Sequence, residues 1–273
     1  MIIIPLIIVA STFVAINVMY KRTNHFNNQF VDVCKFWRSS PHQKDLQVVN
    51  LGSNHPKFGF DYSGLDIKGE NWAVGPQTLV YDFAILRNNV DRLVPGATVI
   101  IPICLLKMFL FRQKPRSVHQ KYYTFLPKED IVGYSAWEKF RNIIFPVIDY
   151  HRWRFILKDV KKDTRLELTS NSMTTVEQLD KDANMWVNIW NKEFDITLPD
   201  PTLSEENQRE IKSNIRVLRE MLEYCTTKGL KPILAILPVT EHLSSKFTDS
   251  FIENHIIKYL NEANTVNAPL LNF

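Results

Sequence analysis

Residues 46–56, LQVVNLGSNHP, set a short apolar run directly before a glycine, a hydroxyl and two further polar side chains. Leu46 to Leu51 has the length and composition of a buried strand, and Gly52 marks a tight turn that the strand feeds. Downstream, Leu79, Val80, Phe83, Ala84, Leu86, Val90 and Val94 recur at helical spacing between Gln77 and Val94, and Pro95-Gly96 closes the pattern. Thr98 to Ile103, TVIIPI, then reads as a second buried strand. Glu205 and Glu206 open a helix with Ile211, Ile215, Leu218, Met221, Leu222 and Cys225 on one face, ended by Lys228 and Gly229. An acidic start, a basic end and a terminal glycine suit the helix dipole and a left-handed cap. Pro232 to Leu237, PILAIL, is a third strand, followed by a helix near Ser245 to Leu260 and a fourth strand at Ala268 to Phe273. Such alternation predicts an α/β domain over 46–273 with a central parallel sheet and right-handed crossovers. The irregular stretch at about 104–203 reads as an insertion of helices and loops.

Composition narrows the function classes. With 45% hydrophobic and 23% charged residues the chain is not disordered throughout, and a net charge of +4 is too small to argue for nucleic acid. Cys34, Cys104 and Cys225 are odd in number and widely spaced, which supports neither a disulfide framework nor a metal knuckle; packing is the expected role. The seven histidines are scattered, so no metal or other cofactor is implied.

Met1 to Tyr20 carries no charged side chain. Twenty residues at about 1.5 Å each reach roughly 30 Å, the thickness of a bilayer core, so residues 1–20 are expected to be a transmembrane anchor and 21–45 a linker. A cleaved signal peptide lacks a convincing small-x-small site, and a buried core helix would be amphipathic, which this run is not. Lys21 and Arg22 alone would keep the body in the cytoplasm; an upstream start supplying further basic residues would reverse that.

In a parallel sheet the functional residues gather beyond the carboxyl ends of the strands. VVNLGSNHP after the first strand, FGFDY from Phe58 to Tyr62, NWAVGPQ from Asn71 to Gln77 and ILPVT from Ile236 to Thr240 occur in an order that resembles the SGNH (GDSL-like) hydrolases, in particular the membrane-anchored envelope proteins that include the teichoic acid D-alanine transfer protein. The resemblance spans roughly residues 46–273. It implies a three-layer sandwich, a serine attacking an ester carbonyl, a histidine base oriented by an aspartate, and backbone amides holding the oxyanion. Carried over, Ser53 and Asn54 are the candidate catalytic positions, and Gly52, Asn71 and Gly75 the candidate oxyanion or substrate-binding positions. The family serine stands two places after the glycine, which here is Asn54, so Ser53 lies one residue early. The family's Asp-x-x-His block would follow the strand on which Phe273 stands, so the resemblance implies a domain truncated at its C-terminus. His55 and His242 are the alternative bases, and a helix cap or Asx turn is the alternative reading of Ser53 and Asn54.

Two basic and aromatic stretches remain. Lys107, Arg112, Lys114, Arg116, His119 and Lys121 interleave with Met108, Phe109, Phe111, Tyr122 and Tyr123, and Arg152, Arg154, Lys158, Lys161, Lys162 and Arg165 accompany Trp153 and Phe155. They suit lipid headgroups or an anionic surface polymer or glycan, or else a solvated face with its aromatics turned inward. The expectation is an extracellular, cell-membrane-anchored esterase or O-acyltransferase acting on a surface polymer, or an inactive relative that binds a surface glycan or partner.

Overall fold

The computed structural model describes residues 3–28, 34–38, 42–110, 119–161 and 175–273. Its strands are β1 (Leu46–Asn50), β2 (Gly69–Asn71), β3 (Leu93–Ile103), β4 (Lys231–Ile236) and β5 (Leu270–Asn272). The main helices are α1 (Ile3–Lys21), α2 (Asn54–Gly59), α3 (Leu79–Asn89), α4 (Trp153–Lys161), α5 (Val176–Phe194) and α6 (Glu205–Thr227). The chain divides into two units, Met1–His42 with Pro115–Ser170, and Gln43–Lys114 with Asn171–Phe273.

The second unit is α/β. All five strands pair in parallel in the order β2-β1-β3-β4-β5. From β1 the chain moves outward to β2, then returns across β1 to form β3 on its other side. That reversal makes the carboxyl ends of β1 and β3 the switch point of the sheet, the place where parallel sheets commonly bind their ligands. Val49 and Leu51, Val99, Ile101 and Ile103, and Leu234 to Ile236 are buried, as their apolar runs require. The apolar face of α6 is buried as expected, and the helix lies against α3 and β4. Ser204 caps α6 by accepting from Asn207 N–H, and Gly229 follows at φ 68°.

Three elements differ from the sequence reading. β3 begins at Leu93, five residues before Thr98, and contains Pro95 and Gly96. Its pairing jumps from Leu46↔Leu93 to Val48↔Thr98, so a bulge absorbs the proline and glycine. The expected helix near 245–260 is interrupted into Glu241–Ser244, Asp249–Ile252, a π turn at Glu253–Ile257 and Lys258–Ala263. Thr248 restarts it by capping Phe251 N–H, the local bond that hydroxyl residues prefer to helix interiors. β2, whose sequence is Gly-Glu-Asn, was not expected, because no side chain in it is apolar. It is an edge strand held by its polar groups. Glu70 pairs with Arg92 and accepts from Trp72 Nε1 at 2.9 Å, and a Cβ on Gly69 would strike the Tyr62 ring at 2.5 Å.

The first unit is built around the C-terminal half of α1. This helix is long and apolar enough to cross a membrane. Ile4, Leu6, Ile7, Ile8 and Val9 are exposed, whereas Asn17 and Tyr20 are buried. Tyr20, Phe26 and Val147 form a small core, joined by Ile16, Ile143, Phe145, Trp153, Phe155 and Ile156.

Candidate active site at the carboxyl edge of the sheet

β1 delivers its chain to Gly52 at φ 115°, and the turn is closed on one side by Pro56, whose Cγ would lie 2.6 Å from a Cβ at that glycine. Only glycine fits there. Ser53 occupies the N-cap position of α2, yet its hydroxyl makes no cap bond. Instead Ser53 Oγ accepts the N–H of Gln77 at 3.0 Å, which ties the turn after β1 to the loop after β2. The same two segments meet again where Val74 N–H donates to Gly52 O at 3.0 Å. Gly75 packs so closely on the turn that a Cβ would overlap Asn54 Oδ1 at 1.5 Å. Gly52, Ser53, Asn54 and Gly75 are therefore neighbours at the rim of the sheet.

Beneath the turn lies a charged network that the sequence did not reveal. Asp82 Oδ1, from α3, accepts Gly52 N–H at 2.7 Å and also accepts from Gln77 Nε2. Asp82 Oδ2 faces Lys107 Nζ at 2.7 Å, both side chains being 1% exposed. Lys107 Nζ also donates to Gln77 O at 3.1 Å. The network thus joins the loops leaving β1, β2 and β3 and holds Gln77, whose N–H fixes the Ser53 hydroxyl. Cys104 stands beside it; burial pushes its thiol up, Lys107 pulls it down and Asp82 raises it again. A carboxylate three residues after Leu79, on the apolar stripe of α3, is the one sequence signal that could have announced a buried partner.

Asn71 is structural in its contacts. Its Nδ2 donates to the carbonyls of Pro56, Lys57 and Phe60 at 3.0–3.2 Å, closing the end of α2. Its Oδ1 accepts from Asn50 Nδ2 at 2.8 Å and from Ala73 N–H at 3.1 Å. Asn50 Oδ1 in turn accepts from Tyr62 at 3.1 Å, and burial pushes the Tyr62 phenol well above its ordinary value. The Gly52 amide is engaged by Asp82, whereas the N–H groups of Ser53 and Gly75 donate to no protein acceptor among the described residues.

Neither alternative base reaches the serine. His55 is exposed on the first turn of α2. His242 pairs with Asp180 of α5 at 2.8 Å, the imidazole 27% and the carboxylate 54% exposed. Gln77 N–H is the hydrogen-bond partner of Ser53 Oγ, and no imidazole or carboxylate bonds it among the described residues.

The basic stretches separate into buried and exposed members. Lys107, His119 and Lys121 are buried, and Arg152 is held by Asp149 and Asn142, while Arg154 and Lys158 are exposed. Phe111, Arg112, Lys114, Arg116, Lys162 and Arg165 lie outside the described residues, as does the side chain of Lys161. Cys34 and Cys225 are buried, in keeping with packing. No group of three or more His, Cys, Asp or Glu able to hold a metal occurs among the described residues. No family model, curated protein or solved structure matches the chain.

Proposed function

We propose that this is a membrane-tethered SGNH-type protein, α1 spanning the bilayer, whose carboxyl-edge site transfers or hydrolyses acyl esters of a surface polymer with Ser53 as nucleophile. The observation that carries the reading is the meeting of Ser53 and Gly75 at the switch point of the sheet. Ser53 follows a strand and a positive-φ glycine, and its hydroxyl is oriented by Gln77 rather than consumed as a cap. Backbone donors adjoining a hydroxyl are what a developing oxyanion requires, and the amides of Ser53 and Gly75, like those of Asn54 and His55, have no acceptor among the described residues. Asn71 and Gly52 then serve the site by position, holding α2 and the turn. The domain is read as extracellular, where ester-bearing polymers lie.

A second reading is favoured by the company Ser53 keeps. Without a bonded imidazole the same rim would bind the polymer and leave its esters intact. A fluorophosphonate probe applied to the full chain separates the two. Labelling that disappears in Ser53→Ala supports the enzyme, and a protein that stays unlabelled while remaining folded leaves only binding.

A further inference from the structure

We infer that residues 137–158 form an interfacial collar that lies in the same membrane leaflet as the C-terminal half of α1, its exposed apolar side chains facing lipid. This rests on the reading of α1 as a membrane span. The collar and α1 belong to one unit, and three observations place them at one depth.

First, the ring of Phe13 meets the ring of Trp153 edge-on at 5.9 Å. Phe13 precedes Lys21, the first charge after the apolar run, by eight residues, about 12 Å along a helix. Trp153 therefore sits inside the apolar layer if α1 does. Second, Asn17 is a polar residue in the apolar run, and a bare amide facing hydrocarbon is strongly disfavoured. Its Nδ2 donates to Ile144 O at 3.1 Å, its Oδ1 is buried with no hydrogen-bond partner among the described residues, and the residue is 7% exposed. The collar covers this amide, so the collar must accompany it into the membrane. Third, most of the collar's exposed side chains are large and apolar, with His151, Arg154 and Lys158 the polar ones among them. Trp137, Phe140, Ile144, Ile148, Tyr150 and Leu157 are 38–68% exposed.

The collar's own polar groups fit that placement. Trp153 Nε1 donates to Val147 O at 2.9 Å, and Arg152 is held by Asp149 and Asn142 within the unit. Arg154 and Lys158 are exposed on α4, each over the Phe155 ring, at 4.8 Å and 5.9 Å. Long cationic side chains beside tryptophan and tyrosine are the composition of a membrane interface, the cations reaching headgroup phosphates while the rings stay at the boundary. An amphipathic helix carrying both is how monotopic segments lie in the interface plane.

The test uses the full chain in liposomes and reads tryptophan emission quenched by brominated lipids. The contribution of Trp137 is the difference between the wild-type chain and Trp137→Phe. Val9→Trp reports on α1 itself. The expected result is that lipids brominated near the headgroup quench Trp137, while Val9→Trp responds to bromines deeper in the chain. Quenching of Val9→Trp with none of Trp137 overturns the collar and leaves the span intact. Loss of both removes the span and the collar with it. A Trp137 signal reached neither by bromolipid nor by aqueous acrylamide would mean that protein covers it, which also overturns lipid contact.

Discussion

Lys107→Met tests whether the buried network beneath the Ser53 turn holds the domain. The ammonium stands 2.7 Å from Asp82 Oδ2 with both side chains 1% exposed. At an effective dielectric of about 20 that separation corresponds to roughly 6 kcal/mol of gross attraction, much of it offset by desolvation of the two ions. Removing one partner does not restore the desolvation of the other. The Asp82 carboxylate would stay fixed by Gly52 N–H and Gln77 Nε2, and Gln77 O would lose its donor. The expected loss is about 3–5 kcal/mol, the range for breaking a buried pair from one side.

Urea unfolding followed by tryptophan emission reads this loss. Trp72 is fully buried, its backbone N–H donates to Asn50 O at the end of β1 and its indole N–H to Glu70 of β2, so it reports on the sheet. With a slope of about 2 kcal/mol per M the midpoint falls by about 2 M. Lys107→Met combined with Asp82→Asn removes the stranded charge while keeping an oxygen for Gly52 N–H, and should recover about half of the loss. A single substitution that costs less than about 1 kcal/mol, or a double that is worse than the single, would refute the claim that this charge pair organises the turn.

Two further outcomes are expected. Burial pushes the Cys225 thiol from 9.0 up to about 12. Between those values the unfolded chain ionises and the folded chain keeps its proton, so this group's contribution is complete below about pH 9 and stability then falls by about 1.4 kcal/mol per pH unit up to about pH 12. Cys225→Ala should flatten that slope in denaturant titrations, and an unchanged slope would count against burial as the cause. Gly75→Ala would drive a Cβ to 1.5 Å from Asn54 Oδ1 and 3.3 Å from Asn54 Cα. It should lower stability by about 1–3 kcal/mol in thermal melts through overpacking. Gly59→Ala, with nothing within 4 Å of its Cβ, should be neutral, and equal effects at the two glycines would refute the close approach.

The parts of the fold that were legible are those where burial is written in composition. β1, the second half of β3, β4 and α6 each carry their apolar residues at the period of the element they form. β2 was hidden because its stability comes from Glu70, Arg92 and Trp72 meeting across distant segments, and no local pattern records such a meeting. The start of β3 was hidden because Pro95 and Gly96 signal a stop, whereas the bulge beside β1 accommodates both. At the site, turn chemistry pointed to Gly52 and Ser53 and the family resemblance to Gly75, and the structure sets the three beside one another. Asp82 and Lys107 were not readable as partners, since 25 positions separate them and a lysine among basic neighbours reads as surface.

The same contrast bears on which groups of the rim can act on a ligand. Asn71 was a candidate for substrate contact, yet its amide nitrogen already serves two carbonyls of α2 and that of its C-cap Phe60, and its oxygen two donors. To reach a ligand it would have to release the end of α2, the helix whose first residue presses on Gly75. Gly52 N–H is likewise bound to a buried carboxylate that has its own counter-ion. On the proposed reading, a ligand at this rim would meet the Ser53 hydroxyl and the unbonded backbone amides of the turn, with Asp82, Lys107, Gln77 and Asn71 fixing where the turn stands. If the rim does carry the proposed acyl chemistry, such division between backbone donors and a buried supporting network would hold the donors in place without reorganisation, the condition under which electrostatic stabilisation is most effective.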